Sequence, residues 1–97
     1  MDVHFTHRGT TFVWNAAKAN GNLNKHGLSF EEAVTVFDDP MLVVRDASRH
    51  DQVRDAVIGF DRHTRLLFVV HVEIHDDAIR IISARRATRS EEATYAQ

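Results

Sequence analysis

The chain predicts a single α+β domain over residues 1–97, with two N-terminal helices packed on a four-stranded antiparallel sheet and a short C-terminal helix. Three observations predict it. Helix-capping signals and helical apolar spacing occupy the stretch up to Pro40, whereas β-branched and aromatic runs between polar turns occupy most of the rest. Helices followed by a run of strands, rather than strict alternation of the two, is the pattern of helices segregated to one sheet face. The length suits one hydrophobic core and leaves no room for a separate substrate domain.

Taken in order, Phe12-Val13-Trp14 reads as a short opening strand, with the polar, turn-like Thr6-His7-Arg8-Gly9-Thr10 before it as half of a hairpin. Asn15 caps a helix running to about Lys25, and Gly27 supplies the left-handed residue that stops it. Ser29 and Glu32 form a capping box for a second helix. Its apolar residues Phe30, Ala33, Val34 and Phe37 fall on one stripe, and Asp38-Asp39-Pro40 ends it. The period then changes. Met41 to Val44, Val53 to Phe60, Leu66 to Glu73 and Ile79 to Ala84 read as the strands of a meander, and Arg89 to Tyr95 as a polar terminal helix. Trp14, Phe12, Phe30, Phe37, Phe60 and Phe68 read as core rather than as stacking platforms for bases.

Composition excludes several function classes. The absence of cysteine removes disulfides, thiolate zinc sites and a cysteine nucleophile, and it fits a reducing cytoplasm. No apolar run reaches the roughly 20 residues that span a bilayer, and the start of the chain lacks the pattern of a signal peptide. A soluble cytoplasmic protein is expected. Formal charge of −2 offers nucleic acid no global attraction, so any RNA contact has to come from a local concentration of Arg and Lys.

That concentration exists at Arg80, Arg85, Arg86 and Arg89. Guanidinium suits bidentate binding of phosphate, and a phosphodiester is a plausible guest; pairing with the chain's carboxylates is the alternative. Strict alternation along this strand puts Ile79, Ile81, Ser83 and Arg85 on one face and Arg80, Ile82, Ala84 and Arg86 on the other. Arg54, near the start of another strand, can face either side. Lys25-His26 at the junction of the helices offers an imidazole, a side chain suited to proton transfer, beside an ammonium. His71, Glu73 and His75 at spacing two, with Asp76 and Asp77 beyond, form a weaker divalent-metal set, of which His71, Glu73 and Asp76 would serve a metal-dependent nuclease. Asp46, Arg49 and His50 read as a salt-bridged turn.

The order of these motifs resembles one family. Phe12-Val13-Trp14-Asn15, Lys18-Ala19, Asn22 to Ala33 and Val36 to Pro40 resemble the first half of BrnT toxins. Asp46 with His50, Arg54, Gly59, Leu67 to Val70, Ile79 to Thr88, Glu92 and Tyr95 follow the second half. The resemblance implies a RelE-like fold and a ribonuclease toxin that cleaves RNA without a metal or other cofactor. It also implies a tightly bound BrnA-like ribbon-helix-helix antitoxin, which forms a hetero-oligomer with the toxin, contacts operator DNA and co-represses the operon. Two residues depart from the family: Asn15 stands where Asp is common, and Ile74 where Arg is usual.

Metal-free RNA cleavage needs a base for the ribose 2′-hydroxyl, cations on the phosphoryl oxygens and an acid for the leaving 5′-oxygen. On this chain the expected phosphate-stabilising residues are Arg80 and Arg85, then Arg54 and Arg86, with His26 transferring a proton and Lys25 assisting it electrostatically. Glu73 or Tyr95 is the expected second proton carrier. The rival reading is a catalytically silent module that binds the antitoxin and tunes repression.

Overall fold

Capping chemistry fixes where the helices of the computed structural model, which describes residues 1–97, begin and end. The Asn15 side chain accepts from the Lys18 backbone N–H at 3.1 Å to open α1 (Ala16–His26), and Gly27 at φ 70° closes it. Ser29 and Glu32 complete the expected capping box at the start of α2 (Phe30–Val34), which tightens into a 3₁₀ turn over Thr35–Asp38. The tightening changes the apolar stripe, so that Val36 is buried and Phe37 only partly so. A second capping box, Thr88 with Glu91, opens the terminal helix α3 (Arg89–Tyr95).

The sheet corrects the sequence expectation. It has six strands, not four, and it is mixed: β1 (Asp2–His7), β2 (Thr10–Asn15), β3 (Val43–Asp46), β4 (Asp55–Phe60), β5 (Leu66–Glu73) and β6 (Ile79–Arg86) lie in the order β1-β2-β6-β5-β4-β3. The antiparallel meander β3 to β6 forms as expected. The opening hairpin joins the same sheet, because β2 pairs in parallel with β6 through Phe12↔Ile79 and Val13↔Arg80. The physical reason is that β6 leaves the meander with one open edge, which an added strand satisfies. Beyond Arg80 that edge passes from β2 to α1, and the buried Asn22 amide bonds both the Ala84 N–H and the Leu28 carbonyl at 3.0 Å.

One sheet face and the helices α1 and α2 enclose the core, built on Phe12, Trp14, Leu28, Phe30, Val34, Val57, Leu67, Val69 and Ile81. The Phe30 ring meets Trp14 edge-on at 5.8 Å. Phe60, expected in the core, is instead 41% exposed at the end of β4. The turn expected to be salt-bridged is built differently: Asp46 accepts from the Ser48 hydroxyl at 2.6 Å and its N–H at 3.1 Å, and neither Arg49 nor His50 joins it.

Candidate active site

Paired residues of neighbouring strands point to the same face, so register shows where each side chain lies. Val72 pairs with Arg80, Val70 with Ser83 and Phe68 with Arg85, while the ladder shifts between Val70 and His71 and leaves Ile82 unpaired. This bulge overturns the strict alternation expected of the strand: Arg80, Ser83 and Arg85 share one face, and Ile81 and Ala84 are both turned into the core. Arg86, opposite Leu67, belongs with the core-side face.

The face that carries Arg80 and Arg85 lies opposite α1 and α2. Continuing the register adds Ala56 and Arg45 beside Val70, and Ile58 and Val43 beside Phe68. Arg54 extends the β3–β4 ladder by one step, its carbonyl accepting from the Ala47 N–H at 2.9 Å, and by alternation with Ala56 it looks onto the same face. Val13 and then His4 stand in register beyond Arg80. Four arginines therefore frame a floor of Val70, Ala56 and Ser83. Helix α3 lies against the β4 end of this face, with the Tyr95 ring edge-on to Phe60 at 5.3 Å.

The four cations are held differently. Arg80 donates twice to the Asp2 carboxylate, at 3.0 and 3.3 Å, which raises its pKa and lowers that of Asp2. Arg85 donates to both Glu91 oxygens at 2.7 and 2.9 Å, a fork that raises the Arg85 pKa against the opposing effect of burial. Its guanidinium also stacks over Phe68, 4.3 Å from the ring centre, and bonds the Arg86 carbonyl. Arg54 donates to the neutral Gln52 side chain at 2.6 Å. Arg45 is exposed and makes no side-chain hydrogen bond or ion pair.

The other expected site residues lie elsewhere. Lys25 and His26 form the last turn of α1, both exposed and without side-chain hydrogen bonds. Asn22, about one helical turn before His26, accepts from the Ala84 N–H and so ties this part of α1 to β6. Glu73 pairs with Ile79, on the face opposite Arg80. The Tyr95 hydroxyl donates to Asp39 Oδ2 at 2.7 Å, and that bond pushes its pKa up to about 12. Arg86 lines a shallow groove of about 260 Å³ with Phe60, Arg65 and Glu92. His71 is buried against Phe37, and no three His, Asp or Glu side chains gather as a metal site, so His71, Glu73, His75, Asp76 and Asp77 do not form the set considered above.

Sequence reading missed Arg45 and His4. The signal for His4 was present in Asp2 to His7, where Val3 and Phe5 alternate with polar residues, the mark of a half-buried strand.

The fold is a mixed α+β sheet with two helices on one face and an arginine-framed second face. The family model described as "Ribonuclease toxin, BrnT, of type II toxin-antitoxin system" matches residues 14–91, and the chain belongs to that family. Among solved structures it is similar to the Brucella abortus ribonuclease toxin BrnT, crystallised at 1.1 Å resolution. The two share 24% identity and a TM-score of 0.61, over 78% of this chain and 94% of the Brucella one, a likeness that shows the fold. No curated protein matches the chain. No helix is long and apolar enough to cross a membrane.

Proposed function

We propose that this chain is an endoribonuclease that cleaves RNA by attack of the ribose 2′-hydroxyl on its own phosphorus, without a metal, in the cytoplasm. The observation that carries the reading is the set Arg54, Arg80 and Arg85 on one open sheet face, brought there by the bulge at Ile82. Developing charge on a phosphoryl oxygen is stabilised by guanidinium donors already in place. His26, with Lys25 beside it and about one turn beyond the Asn22 contact with β6, serves as a proton carrier, and Arg86 adds a cation on the core-side face of β6. Glu73, opposite Ile79 on the core-side face, and Tyr95 on α3 are the further candidates for the second proton carrier. A BrnA-like ribbon-helix-helix antitoxin neutralises the toxin in a hetero-oligomer and supplies the operator contacts, in keeping with the type II toxin–antitoxin family.

Protein freed of antitoxin is expected to cleave single-stranded RNA in EDTA. Arg80→Ala with Arg85→Ala is expected to lower kcat/KM by about 10³-fold, the scale on which loss of charge stabilisation acts. Full activity in that double variant overturns the reading.

A silent antitoxin-binding module is the second reading, favoured by a specific observation: Arg80 and Arg85 are each already paired with a carboxylate, and Ile74 removes a further cation. Antitoxin binding and operator repression without cleavage of any RNA is its expected signature.

A further inference from the structure

The seven histidines of the chain are placed very differently. His7 is bonded to Asp38 at 2.8 Å, His63 faces Glu32 at 3.3 Å and His71 is buried. His26 ends α1, and His50 and His75 lie in connections. His4 is the one on a strand of the arginine-framed face. It pairs with Val13, which pairs with Arg80, so the three form one row across β1, β2 and β6. Asp2, two residues before His4 on the same side of β1, confirms the direction, since its carboxylate reaches Arg80 at 3.0 Å.

We propose that His4 transfers a proton during RNA cleavage on this face. The inference rests on the reading of that face as the ribonuclease site. Two strand spacings separate the Cα atoms of His4 and Arg80 by about 10 Å, and between them lies Val13, buried at 3% exposure. The imidazole and the guanidinium stand on either side of Val13, where the Asp2–Arg80 ion pair crosses β2, and the guanidinium N–H groups that Asp2 does not use remain for a phosphoryl oxygen. The neutral ring takes the proton of the 2′-hydroxyl as its oxygen bonds to phosphorus. The P–O5′ bond breaks, and O5′ leaves with a proton from water or from a second acid. A 2′,3′-cyclic phosphate and a free 5′-hydroxyl result. Arg80 carries the charge that accumulates on the phosphoryl oxygens, and Asp2 positions Arg80.

The charged groups around His4 are Asp2 on its own strand, the chain's N-terminal ammonium, Arg80 on β6 and Arg54 further along the row; β2 offers only Thr11, Val13 and Asn15. Strand β1 lies ahead of the segment matched by the family model, so the family match says nothing about His4.

Antitoxin-free protein, a labelled single-stranded RNA and EDTA suffice for the test. His4→Ala is expected to lower kcat by about 10²-fold while leaving KM within threefold, and added imidazole to restore part of the loss. His4→Gln, which keeps the size and polarity of the ring, is expected to flatten one limb of the pH–rate profile between pH 5 and 8. Parent-like cleavage by His4→Ala, with Arg80→Ala inactive, overturns the role of His4 and leaves the face standing. The same holds if His26→Ala removes the pH limb and His4→Ala does not. A parent protein that cleaves no RNA overturns both the face and the inference.

Discussion

Asp61 shows how a single carboxylate stiffens this molecule. Its buried side chain accepts from the Arg65 and His63 N–H groups at 2.9 Å and from Arg65 Nε at 2.8 Å, and Arg65 reaches on to Glu32. Burial pushes the Asp61 pKa up, but the Arg65 and backbone donors outweigh it and the pKa is lowered. Asp39 behaves alike: burial raises it, and donors from Phe60, Tyr95 and Met41 bring it below the usual carboxylate range. Glu91 is lowered mainly by its bond to Arg85. A carboxylate whose folded pKa is depressed stabilises the fold above its unfolded value and loses that contribution as pH falls through the folded one. Stability is therefore expected to hold at neutral pH and decline from about pH 4 downward, as urea midpoints across pH 2–7 will register. Asp61→Asn is expected to cost about 2 kcal/mol at pH 7 and to weaken that acid dependence; an unchanged urea midpoint would remove Asp61 from this role.

Among the elements, the helices were the most legible in the sequence because their signals are local. Asn15, Gly27, Ser29 and Glu32 each act on backbone groups within four residues, and each sits where its chemistry requires. Ser29→Ala is accordingly expected to lower stability by about 1 kcal/mol, measured by denaturant unfolding. The strands were legible as segments but not as a sheet. Nothing within Phe12 to Asn15 reveals that its partner is Ile79-Arg80, since that pairing answers to an edge left open far along the chain. The bulge at Ile82 was hidden for the same reason: it is a property of two strands together, and alternation along one strand cannot reveal it. Hence the sequence picked out Arg54, Arg80 and Arg85 but assigned Arg80 and Arg85 to opposite faces, and it passed over Arg45 and His4. Removing the bulge by deleting Ile82 is expected to turn either Arg80 or Arg85 away from the open face and to abolish cleavage. Retained activity in a folded deletion variant would refute that account of the site.

At the scale of the whole molecule, one core lies on one side of the sheet, while the other side is covered by α3 at one end and open at the other. Leu23, Met41, Val44 and Val53 remain exposed outside that core. A chain of this size retains little stability beyond the entropy it loses on ordering, and any partner that binds only the folded form adds to it by mass action. The melting temperature is expected to rise with antitoxin concentration, by about 2.7 kcal/mol of added stability at a hundredfold excess over Kd. A midpoint independent of antitoxin would exclude such a complex.

The seam between β2 and β6 has a further consequence, for the time at which the protein becomes itself. It stitches residues 12 and 13 to residues 79 and 80, so the middle of the sheet closes only once residue 80 has left the ribosome. Contacts of such long sequence separation slow folding. During synthesis the early hairpin waits beside an unfinished meander until Arg80 arrives. Until that seam closes, the arginine-framed face does not exist.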